Sequence, residues 1–150
     1  MRPVLLLLLV TATGVPFACH ATASDTPLLD PAYPFFATLP DANTNGEPEL
    51  FINRAAPVAT ALLPGVACDG AAVLSATLDW SATFGRFAVP EQRFAGPDAL
   101  CEALAAGNTY TSTGNIGFPV LTVTLRVVYG DGHEESDSVV QTVQVINGKD

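Results

Sequence analysis

Cys68 and Cys101 are the residues whose types name a chemistry most directly. The chain has three cysteines, and the third, Cys19, lies just behind an apolar N-terminal run. Removing that run as an export signal leaves an even pair, which an oxidising compartment joins. A bridge across 33 positions contributes roughly 3–4 kcal/mol through chain entropy alone. The competing reading is two buried thiols. No second Cys or His stands at ligand spacing near either cysteine, so a metal site is disfavoured. A thiol nucleophile lacks a base, because His133 is the single histidine left after signal removal and sits in an apparent turn.

Carboxylates form the second group. Asp131, Glu134, Glu135 and Asp137 surround His133 within seven residues, a candidate cation site or acidic face. The competing reading is a solvated hairpin tip that keeps a sheet edge soluble. Carboxylates distant in sequence can also meet for glycoside hydrolysis. Ser and Thr are plentiful, yet no G-x-S-x-G motif and no Gly-rich phosphate loop occurs.

The N-terminus reads as an export signal. Arg2 precedes Val4-Leu5-Leu6-Leu7-Leu8-Leu9-Val10, and Ala21-Thr22-Ala23 supplies a small-residue site, so cleavage is expected near Ala23. The run is too short for the ~20 residues that span a bilayer, and no other stretch reads as a membrane span. Lipoprotein processing at Cys19 is disfavoured, because Pro16 stands where an aliphatic residue is needed. The 150 residues carry fifteen acids and six bases, a formal charge of −9. Loss of Arg2 leaves five bases against fifteen acids, or −10. The bases are scattered, so nucleic acid is excluded as the expected partner.

These groups need a scaffold. Residues 24–48 form a Pro/Asn-rich arm whose five prolines forbid regular helix and central strand. Its Tyr33, Phe35 and Phe36 are expected to pack it onto a single domain, residues 49–150. Short apolar runs at Leu50–Ile52 and Val58–Leu63 read as strands. Val73–Trp80 alternates, with Leu74, Ala76, Leu78 and Trp80 on one face and Ser75, Thr77 and Asp79 on the other. Trp80 is expected to fill the core rather than stack on a sugar. Thr83–Val89 is a further strand interrupted by Gly85. Pro97–Gly107 has helix grammar: Asp98 to cap, Leu100 and Leu104 at i,i+4, and Gly107 to stop. Cys101 would pin this helix to the sheet. Val120–Tyr129 alternates most clearly, and Val139–Ile146 is rich in β-branched residues. The Gly130–Asp137 connection makes the two a hairpin. One-sided alternation means antiparallel sheets covering a core.

Some of these residues resemble a known module. Leu78-Asp79-Trp80 followed by Gly85, Tyr110-Thr111-Ser112-Thr113-Gly114, Leu121-Thr122-Val123-Thr124-Leu125-Arg126-Val127 and the Gly130-Asp131-Gly132 turn are similar to PKD and related immunoglobulin-like modules of secreted bacterial proteins. The likeness covers about residues 57–147. It implies an antiparallel Ig-like β-sandwich, here with one short α-helix near residues 98–106. A second, local stretch, Asp41-Ala42-Asn43-Thr44-Asn45-Gly46-Glu47-Pro48-Glu49-Leu50, resembles the calcium loop of FG-GAP-type repeats. That likeness implies Asp41, Asn43, Asn45 and Glu49 as side-chain oxygen ligands and Glu47 as a backbone ligand. Calcium takes such hard oxygens from alternate positions of a tight loop. The competing reading is an Asn/Gly-rich loop built on Asx turns.

The expected function is a secreted, non-catalytic binding module. It would recognise an extracellular or cell-surface protein or polysaccharide through loops or a sheet edge. It needs no cofactor, with calcium the one candidate ion. The alternatives are a secreted protease-type inhibitor and a small hydrolase using carboxylates.

Overall fold

The longest strands form where alternation is strongest. The computed structural model describes residues 27–37, 39, 49–68 and 72–147. Along the chain these form β1 (Glu49–Phe51), β2 (Ala55–Val58), β3 (Val73–Ala82), β4 (Arg86–Phe87) and β5 (Glu91–Ala95). Then follow α1 (Ala99–Ala106), β6 (Asn108–Thr111), β7 (Val120–Tyr129), β8 (Glu134–Thr142) and β9 (Gln144–Ile146). An antiparallel sheet of order β5-β3-β7-β8 packs against an antiparallel sheet of order β2-β6-β4, a β-sandwich with one short helix. The β1–β9 pair, a separate two-stranded sheet, is parallel.

The inner face of the larger sheet is Ala76, Leu78 and Trp80 from β3, Leu121, Val123, Leu125 and Val127 from β7, and Val139 from β8, all buried. Aromatic rings tie the two sheets together. Trp80 lies 5.2 Å from Phe87 of β4, and Phe87 lies 5.3 Å from Tyr110 of β6. Trp80 is therefore core, and its Nε1–H donates to Gln92 Oε1 at 2.9 Å. The Tyr110 hydroxyl donates to the Phe84 carbonyl at 2.7 Å, lying over Gly85. Gly85 has φ +81, and a Cβ there would stand 2.8 Å from the Thr111 carbonyl oxygen. Only glycine fits that turn.

Four strand expectations are corrected. Leu74 does not join the inner face: a register irregularity between Val73 and Ser75 buries Val73 and leaves Leu74 55% exposed. One slipped position sends a side chain to the opposite face. The strand expected at Val58–Leu63 ends at Val58, and the one expected at Thr83–Val89 shrinks to Arg86–Phe87. The strand expected from Val139 starts five residues earlier, at Glu134, and breaks at the buried Val143 before β9.

The described part of the arm belongs to the core. Leu28, Leu29, Phe35 and Phe36 are buried, while Tyr33 is 36% exposed, against the expectation that all three aromatics pack. Phe35 meets Trp80 edge-on at 6.1 Å, and Phe36 meets Tyr110 at 6.2 Å. The arm lies between β8 and the segment that follows β2. Leu63 N–H donates to Leu28 O, Asp30 N–H to Ala61 O and Ala59 N–H to Phe35 O, at 2.7–2.9 Å. These bonds occupy the backbone that the sequence assigns to a longer second strand.

Helix α1 connects β5 to β6 and buries Ala99, Leu100 and Ala103. Asp98 stands at the N-cap position, but its side chain makes no capping bond, contrary to expectation. A tight turn replaces it: Ala99 N–H donates to Gly96 O at 3.1 Å. Gly107, at φ +54, ends the helix. The sulfurs of Cys68 and Cys101 lie at bonding distance with their Cα atoms 4.9 Å apart, so a disulfide pins the helix to the connection preceding β3.

Candidate functional site

The acidic cluster does not assemble. Only Gly130–His133 turns; Glu134, Glu135 and Asp137 lie within β8 and alternate in direction. Glu134 is exposed, whereas Glu135 and Asp137 are half-buried on the opposite side. Asp131 Oδ1 accepts the His133 N–H at 2.9 Å, an Asx turn. Glu135 accepts the Tyr129 hydroxyl at 2.9 Å and lies 3.3 Å from His133 Nε2, whose ring stacks on Tyr129 at 5.7 Å. Burial, then the hydrogen bond to Glu135, push the Tyr129 pKa up to about 12. Asp137 serves the fold: Oδ2 accepts Leu28 N–H at 2.9 Å and Leu29 N–H at 2.7 Å, and Oδ1 accepts Ser138 N–H at 2.8 Å. Among the described residues no three of His, Cys, Asp and Glu converge as a metal-binding group. In place of one acidic tip, Asp131, Glu135 and Asp137 have separate structural partners and Glu134 is exposed.

Asp41, Asn43, Asn45 and Glu47 of the calcium loop lie outside the described residues. Glu49, its last member, is buried at the start of β1.

Two exposed features are better organised. The first is the loop between β6 and β7. Ser112 begins it fully buried, its hydroxyl donating to Phe51 O at 2.9 Å while its carbonyl accepts Asn53 N–H at 3.1 Å. Further on, Gly117 exchanges both backbone bonds with Val145 of β9, at 3.0 and 2.7 Å, and the Pro119 carbonyl accepts Val143 N–H at 3.2 Å. Ile116 and Phe118 flank this clamp at 62% and 56% exposure. No charge lies between Glu102 and Arg126 in the sequence. The loop is thus a fixed, uncharged support for two large apolar side chains.

The second is the outer face of the four-stranded sheet. Register aligns Arg93–Thr77–Arg126–Ser136 in one cross-strand row and Glu91–Asp79–Thr124–Ser138 in the next. Arg126 Nη2 donates to Asp79 Oδ2 at 3.2 Å, and Arg93 pairs with Glu91. Ser75, Thr77, Glu91, Arg93, Phe94, Ala95 and Arg126 line an open depression of about 390 Å³.

Sequence reasoning missed both. The loop contains Gly, Asn and Thr and reads as a plain connection. The rows depend on register, which one strand's alternation does not give, although the alternation itself marks Ser75, Thr77 and Arg126 as outward-facing. Comparison with protein-family models, curated proteins and solved structures found no match to this chain.

Proposed function

We propose that this protein is an exported, non-catalytic binding module that engages an extracellular protein through the loop at 112–119, with Ile116 and Phe118 as anchors. The observation that carries this reading is the exposure of both side chains on backbone already fixed by bonds to β9. Exposed apolar groups cost solvation in the free protein, and large ones at the centre of an interface contribute most to affinity. A loop rigid before binding avoids the ordering cost of association. The cysteine pair supports export. The PKD-like and Ig-like resemblance accords with a role as a binding module.

The same rigidity supports a narrower reading, inhibition of an extracellular protease, in which the loop enters the protease cleft. Calcium at Asp41, Asn43, Asn45, Glu47 and Glu49 belongs to the proposal as an accessory ion. Melting in the presence and absence of calcium tests it, because an ion bound to the folded state raises Tm.

The functional reading is tested by affinity capture from the native extracellular milieu. The wild-type protein and an Ile116→Ser/Phe118→Ser variant are compared. A partner retained by the first and lost by the second, at equal Tm, supports the loop; equal capture refutes it. Stoichiometric inhibition of one endopeptidase from a panel, lost in the same variant, selects the inhibitor.

A further inference from the structure

The depression on the outer face is a second, separate site. It lies over β3, which contributes only small hydroxyl side chains there, Ser75 and Thr77. The neighbouring strands contribute the long Arg93 and Arg126, in register on either side of Thr77. Strand spacing puts these two walls ~10 Å apart. The volume of about 390 Å³ is that of a small-ligand cleft rather than of a single ion.

We propose that this trough binds a segment of an uncharged polysaccharide. Charge complementarity selects that class. Of the two guanidinium groups in the lining, Arg93 pairs with Glu91 and Arg126 with Asp79, which stands just outside the lining, so each positive charge is locally balanced. The site presents donors and acceptors side by side instead. A sugar hydroxyl both donates and accepts, so it satisfies a carboxylate and a guanidinium at once, and Ser75 and Thr77 take either role. Ala95, in register with Ser75, adds a small apolar patch to the wall, whereas the Phe94 ring, in register with the buried Ala76, packs against the core. A polyanion would have to displace Glu91 and Asp79 from their arginines and approach a chain with fifteen acids against six bases. An extended peptide pairs with a sheet edge, where backbone groups are free, rather than with a face.

The test is an amide NMR titration of the full mature chain with a panel of uncharged hexasaccharides. The panel covers β-1,4-linked glucose, xylose, mannose and N-acetylglucosamine and β-1,3-linked glucose. Polygalacturonate and heparin serve as polyanions. At least one uncharged probe is expected to shift the amides of Ser75, Thr77, Glu91, Arg93 and Arg126. Arg93→Ala/Arg126→Ala should weaken that binding by about tenfold or more without changing Tm, since both side chains are exposed. Ile116→Ser/Phe118→Ser should leave it unchanged, which separates this site from the loop. No shift with any uncharged probe overturns the proposal, as does binding confined to the polyanions or an affinity unaltered in the arginine variant.

Discussion

Asp137 shows how far a residue's type can mislead about its duty. In sequence it is the last of four acids in a presumed turn. In the fold its two oxygens accept three backbone N–H groups, two of them from the arm. Charge-assisted bonds of this kind contribute more than neutral ones, and donors left unpaired under cover are costly. Asp137→Ala is expected to destabilise the protein by about 2–4 kcal/mol, measured by urea unfolding. Asp131→Ala, in the exposed turn, should stay within about 0.5 kcal/mol of wild type. Two of the three tyrosines give a second prediction at this scale. Burial raises the pKa of Tyr110 to about 12, and Tyr129 reaches about 12 with help from Glu135. The folded state therefore favours the neutral phenols. Their contribution to stability is complete below the unfolded value of about 10 and is lost as pH rises through about 12. Phenolate absorbance should show two late-titrating tyrosines, and Glu135→Gln should lower the pKa of Tyr129 while leaving Tyr110 unmoved.

At the scale of elements, alternation was the dependable guide. It located β3 and β7 closely because one face of each is covered and the other is wet. It failed where another force set the pattern. The irregularity at Val73–Ser75 moved Leu74 outward, a slip that no window on one strand reveals. The N-terminal half of β8 looked like a turn because acids are poor strand formers, yet each half-buried acid there has a structural partner. The functional candidates were least legible of all. The outer-face rows exist only once four strands are in register, and the 112–119 loop is fixed by bonds to β9, far along the chain. The helix shows the limit of propensity. Its eight residues cannot stand alone, and Asp98 provides no side-chain cap, so packing and the disulfide must hold it. Cys68→Ser/Cys101→Ser should lose roughly 3–4 kcal/mol. Hydrogen exchange should rise first in α1, and reductant should lower the wild-type Tm towards that of the variant. Equal Tm values in and out of reductant would show that the bridge does not form in solution.

For the molecule as a whole, the decisive feature is that the sandwich is closed by a segment that sequence reading set apart as an arm. The larger sheet ends at β8 and the smaller at β2, and residues 28–36 lie between β8 and the segment following β2, bonded to both sides. Leu28, Leu29, Phe35 and Phe36 are also buried in the core, and the two Phe rings extend the aromatic contacts that join the sheets. Each such side chain contributes about 1.5–3 kcal/mol when buried, so four of them rival the total of about 5–15 kcal/mol that holds a typical domain together. Deleting residues 1–37 should therefore abolish cooperative unfolding and leave a chain that binds hydrophobic dye. Deleting residues 1–23, the expected export signal, removes none of these contacts and should leave Tm unchanged. The two deletions differ by only fourteen residues, Ser24 to Ala37. A cooperative melt in both would mean that the arm decorates the sandwich, whereas a melt in the second alone would place residues 28–36 within the minimal folding unit.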